Sequence, residues 1–155
     1  MNTMTMGDGI SSSEARAAIM SCHDELRGLV SETIHAAEKA TVSDNEFEPL
    51  RNHALLLFQA FEEHMDFEEE LLPAALRDVI GRGPMLVKEV VDVHDRRRST
   101  LALAMSALEP GLLSPQLVVA SVRALADTLL RDLKSEERCL HTADLDAIVT
   151  DGHGG

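Results

Sequence analysis

Aromatic residues are almost missing from this chain of 155 residues, which has no Trp, no Tyr and only four Phe. Its core must therefore be aliphatic, and Leu and Ala are plentiful while β-branched runs are scarce. With an ordinary apolar fraction of 45%, that balance points to an all-α protein. Cysteine is equally thin, with Cys22 and Cys139 alone, so no disulfide framework holds the fold. Basic residues are outnumbered, 14 Lys and Arg against 27 Asp and Glu, for a formal net charge of −13. Nucleic acid is argued against as a partner, because neutralising phosphates takes basic patches, and an anionic membrane surface is argued against for the same reason. No run of eighteen apolar residues exists to span a membrane. The opening MNTMTMGDGISSSE has neither the basic start nor the apolar stretch of a signal peptide,. The expectation is a cytoplasmic protein with reduced thiols.

What is present is helical punctuation. The length suits a single domain. A first helix is expected after Ser11, with Glu14 completing a capping box, and its inward stripe runs Ala15, Ile19, His23, Leu26, Val30, Thr33, Ala37,. Ser43 and Glu46 repeat the capping signature before a second stripe of Leu50, Ala54, Leu57, Phe61, His64, Glu68 and Leu71. Pro84 follows a Gly-Arg-Gly breaker and opens a third helix carrying Val87, Val91, His94, Arg98, Leu101 and Met105,. Ser114-Pro115 opens a fourth, with Val118, Val122, Leu125, Leu129, Asp132, Glu136 and Leu140 inward. Four such helices joined by short loops predict an up-down-up-down antiparallel four-helix bundle over residues 12–147. Residues 1–11 and 148–155 are expected to be flexible, the latter for want of hydrophobic residues.

Polar residues interrupt these stripes in a repeated order. Each half of the chain offers a lone His on one helix and an i, i+4 pair on the next: His23 with His64 and Glu68, then His94 with Asp132 and Glu136. Residues one turn apart share a face. At 1.5 Å per residue, each lone His and its pair lie about equally far from the loop between them, and so at matching heights. Any one of these motifs is more often an ordinary boundary histidine or a solvated acidic face. Their conjunction is not, because buried ionisable groups are costly unless paired or bound to a metal. Imidazole with carboxylate suits iron, manganese or zinc better than calcium or magnesium.

At the level of motifs the chain resembles the hemerythrin-like (HHE cation-binding) family from about residue 12 to 145. The first-helix HxxLR is His23-Asp24-Glu25-Leu26-Arg27; the second-helix HxxxEExxLFP is HMDFEEELLP, beginning at His64; the third-helix HxxIR is His94-Asp95-Arg96-Arg97-Arg98; the fourth-helix HxxxEE is DLKSEE. The resemblance implies a non-haem di-iron centre with His23, His64 and His94 as terminal ligands and Glu68 and Glu136 as bridges. It also implies a small ligand or substrate: dioxygen, nitric oxide or peroxide. The alternative is a metal-responsive sensor or interaction module, using iron or zinc without turnover.

Two positions depart from the family pattern. Arg97 replaces an aliphatic residue, and Asp132 replaces the fourth-helix His. As a ligand, Asp132 would add negative charge, favour higher-valent iron and push the site from reversible oxygen carriage towards ferroxidase-like or peroxide-consuming chemistry. Arg27 and Arg98, each four residues after a lone His, are candidates to pair with Glu69 or Glu137. The lack of Tyr and Trp removes the usual electron relays of radical chemistry.

Overall fold

A computed structural model describes residues 9–152, with side chains described for 9–43 and 45–142. Four long helices follow one another: α1 (Ser12–Val42), α2 (Phe47–Ala75), α3 (Gly83–Ala107) and α4 (Pro115–Gly152), with one 3₁₀ turn, Asp44–Glu46, before α2. They form an antiparallel up-down-up-down bundle with no strand among the described residues. The segments expected to be flexible, 1–11 and 148–155, lie for the most part outside the residues whose side chains are described, and the backbone of α4 remains helical to Gly152.

Helix starts largely follow the punctuation. Ser11 caps α1, its Oγ accepting a hydrogen bond from the Glu14 backbone N–H at 3.1 Å,. Ser114 does the same for Leu117 at 3.3 Å ahead of Pro115. The expected box at Ser43 and Glu46 does not form. Those residues instead bracket the 3₁₀ turn, with Glu46 N–H donating to the Ser43 carbonyl at 3.1 Å, and α2 begins at Phe47 without a side-chain cap. Pro73 neither ends nor delays α2, which continues to Ala75. The reversal after it uses Gly81 in the left-handed region (φ +82°) and Gly83, where a Cβ would come within 2.8 Å of the Leu76 carbonyl oxygen,.

One residue that the stripes do not flag locks this end. Arg16 is 6% exposed and donates through Nη1 to the Ala75 carbonyl at 2.8 Å and to Asp78 at 2.9 Å. It thus satisfies a carbonyl left over at the α2 C-terminus.

The apolar core is split into two clusters. One holds Leu26, Phe58, Phe61, Met65, Leu101 and Leu133 among others. The second holds Ile19, Leu71, Leu72, Val90 and Leu140 with their neighbours. On α1 the order runs Ile19, His23, Leu26; on α2, Met65, Glu68, Leu71; on α3, Val90, His94, Leu101; on α4, Leu133, Glu136, Leu140. Every helix therefore contributes at least one buried polar residue at the boundary between the clusters, and α2 contributes two, His64 and Glu68. The expected α3 stripe is adjusted by one position, because Val90 is buried where Val91 is half-buried.

Candidate metal centre

The boundary layer brings the predicted donors together. His23 from α1, His64 and Glu68 from α2, and Glu136 from α4 each place a ligating atom within 4.8 Å of the others. None is more than 5% exposed. His64 Nε2 lies 2.7 Å from Glu68 Oε2, His23 Nε2 3.1 Å from Glu136 Oε2, and His23 Nε2 3.7 Å from Glu68 Oε2. His94 stands outside this mutual set yet touches it. Its Nε2 is 2.7 Å from Glu136 Oε1 and 3.7 Å from Glu68 Oε2. Glu136 thus turns one oxygen to His23 and the other to His94, while one oxygen of Glu68 lies near all three imidazoles.

Of these approaches, the one between His94 Nε2 and Glu136 Oε1 is a hydrogen bond, at 2.7 Å. His23 Nε2, both nitrogens of His64, both oxygens of Glu68 and Glu136 Oε2 are buried without a hydrogen-bond partner. Each such atom costs about 1–3 kcal/mol if left so. Concentrating them in one layer is consistent with a cation among them. The donor set, imidazole nitrogen and carboxylate oxygen without thiolate, fits iron, manganese or zinc. Cys22 and Cys139 are free thiols outside the cluster, and burial raises the pKa of both.

Without metal, the same groups share protons. Burial disfavours the charged form of His23, but Glu136 and Glu68 outweigh it and push the imidazolium pKa up to about 9. His94 is raised for the same reason, chiefly by Glu136. Burial would lift Glu68, yet His23 and His64 hold it well below the usual carboxylate range. A raised histidine stabilises fully below its ordinary value of 6.5 and loses that contribution as pH climbs through about 9,. A lowered carboxylate contributes above its ordinary value of 4.5 and loses that contribution as pH falls,. The metal-free protein is therefore expected to melt highest between pH 4.5 and 6.5. Its Tm in a chelator should then decline towards pH 9; a Tm that climbs across that interval would contradict the assignment. Metal uptake near neutral pH should also release protons.

A second layer orients the rings. His23 Nδ1 faces Glu137 Oε2 at 3.4 Å, and Arg27 grips both oxygens of that carboxylate. Across the bundle, His94 Nδ1 faces Glu69 Oε1 at 3.3 Å, and Arg98 holds Glu69 at 3.0 and 2.6 Å. The two His-Glu-Arg relays tie α1 to α4 and α3 to α2. A proton kept on Nδ1 leaves the Nε2 lone pair pointing into the cluster. Replacing Glu137 with Gln is expected to weaken metal binding by about 10–100-fold, read by competition with a chelator of known affinity. An unchanged affinity would reduce the relay to a surface ion pair.

Asp132 is placed differently from the expectation. It is not one of the four mutual donors. Its carboxylate is clamped by Arg97, with Nε–Oδ2 at 2.5 Å and Nη2–Oδ1 at 3.2 Å, and both side chains are less than a fifth exposed. Leu133, the next residue, takes the fully buried position. The guanidinium offsets the negative charge of this carboxylate. Arg97 is the signal in the sequence, because the two departures from the family pattern are partners. Between α3 and α4 an open groove of about 450 Å³ reaches this pair and Glu136.

Comparison with known proteins agrees with the site. No curated protein and no solved structure matches the chain. Residues 15–143 match the Hemerythrin HHE cation binding domain. That span includes the helical segments carrying all of the clustered donors, and the chain belongs to the hemerythrin HHE cation-binding family.

Proposed function

We propose that this bundle holds a non-haem metal centre, preferentially two iron ions, and uses it to bind or react with dioxygen, nitric oxide or peroxide. The observation that carries the reading is the convergence of buried, unpartnered nitrogen and oxygen atoms from helices α1, α2 and α4. His23, His64 and His94 would hold the metal through their imidazole nitrogens. Glu68 and Glu136, each near more than one imidazole, would supply the carboxylate donors. Iron bound there would supply the redox change and the open coordination position that such small ligands use.

The rest of the chemistry belongs to the chain. Apolar layers on both sides keep bulk water from the donors. Glu137 and Glu69 hold the His23 and His94 rings at Nδ1. The groove between α3 and α4, which reaches Glu136, gives a small molecule its way in. No described helix is long and apolar enough to cross a membrane, and we place the protein in the cytoplasm, where Cys22 and Cys139 stay reduced,.

The reading is tested by loading metal-free protein anaerobically with ferrous iron and then admitting oxygen, nitric oxide or peroxide in separate runs. New absorption bands are expected with at least one of them, and none in His64→Leu. Iron retained without any spectral response would instead support the sensor module, in which metal sets bundle stability alone.

A further inference from the structure

Arg97 and Asp132 occupy the flank of the centre that lacks a fourth-helix imidazole, and they are bound to each other. We propose that the centre holds one metal ion tightly and a second weakly, and that the Arg97–Asp132 ion pair sets the difference. This deepens the metal-centre reading above and rests on it.

The donors divide unevenly. His23, His64, Glu68 and Glu136 are all buried, with a ligating atom of each within 4.8 Å of the others. A second ion would draw on His94, which lies 2.7 Å from Glu136 Oε1, and on carboxylates already shared with the first. The donor that α4 would add is Asp132, and two hydrogen bonds from Arg97 occupy its oxygens. Such a bidentate, charge-assisted pair is among the stronger side-chain interactions, and ligation by Asp132 would have to break it. The guanidinium also sets a positive charge beside the second position, where it repels a cation. Finally, the open groove between α3 and α4 reaches Arg97, Asp132 and Glu136, so water has access to this flank. Fewer donors, a neutralised carboxylate and solvent access all weaken the second site.

The consequence is a protein with a stable one-metal form. The second ion is then held only above a threshold concentration, which makes occupancy of the His94 side responsive to metal supply.

The test titrates chelator-stripped protein with Zn²⁺ and, anaerobically, with Fe²⁺, following heat and bound metal. The wild type should take one tight equivalent and a second roughly tenfold weaker or more. Arg97→Leu, which frees Asp132 and removes the opposing charge, should tighten the second step roughly tenfold and leave the first unchanged. Arg97→Gln, which keeps the polarity of the site, should act in the same direction and covers the case in which the leucine variant misfolds. Asp132→Asn should not tighten the second step. Two equal equivalents in the wild type would overturn the proposal, as would a second step that neither Arg97 variant changes while helicity is intact. One equivalent in the wild type with a second appearing in the Arg97 variants would support it; one equivalent throughout would overturn it. Absence of any uptake would refute the metal centre itself, a failure distinct from two equal sites.

Discussion

Replacing His64 with Leu is expected to abolish the stabilisation of the bundle by metal, and to weaken the metal-free bundle modestly. Both ring nitrogens of His64 are buried without hydrogen-bond partners, and Phe61 packs beside the ring with centroids 6.1 Å apart. The apolar side chain relieves the unmet polarity of the ring but removes the imidazole 2.7 Å from the buried Glu68 carboxylate, so the metal-free variant is expected to lose roughly 1–3 kcal/mol. Glu68 keeps a neighbour, because His23 still lies 3.7 Å away. In the wild type, metal at about a thousand times its Kd adds about 4 kcal/mol, which for a domain of this size raises Tm by about 10 °C. The leucine variant should show a shift near zero. A variant that still gains several degrees on adding metal would mean that His64 is not a ligand.

Glu136→Gln is the second large effect, and it acts in both states of the protein. With metal, one change removes the carboxylate that faces His23 through Oε2 and His94 through Oε1. Affinity should fall beyond the roughly 100-fold typical of outer partners, because a donor is lost rather than its support. Without metal, Glu136 is the leading carboxylate holding His23 up to about 9 and His94 above its ordinary range. The variant should lose about 1–3 kcal/mol near pH 6, and its stability should fall less steeply between pH 6.5 and 9 than that of the wild type,. Titration of the histidine ring signals in the two proteins reads this directly. A loss of metal affinity with an unaltered pH profile would show that Glu136 is a ligand but not the partner of the two imidazoles.

Much of this architecture is legible in the amino-acid sequence. The 3–4 spacing places His23, His64, Glu68, His94 and Glu136 inward, and equal distances to the loops put them at one height. Both rest on helix geometry, which local sequence controls. The same spacing makes Arg27 and Arg98 candidate partners of Glu69 and Glu137, and the fold resolves the choice: each Arg pairs across the bundle. Competition between helices is what a linear reading does not supply. Asp132 has the spacing of a ligand to Glu136, and only the position of Arg97 on α3 shows its carboxylate already engaged. Arg16 is hidden for a related reason. Its role is a hydrogen bond to a carbonyl 59 residues away, and nothing local to α1 encodes that partner. The start of α2 departs from expectation because Ser43 and Glu46 suit a capping box and a 3₁₀ turn equally well.

The central claim is that the polar layer dividing the core exists to hold metal. Equilibrium dialysis of chelator-stripped protein against ferrous iron under argon, with His64→Leu alongside, tests it most directly. At least one tightly bound equivalent in the wild type and none in the variant is the expected result. Equal uptake by both proteins, or no uptake by either, would contradict it.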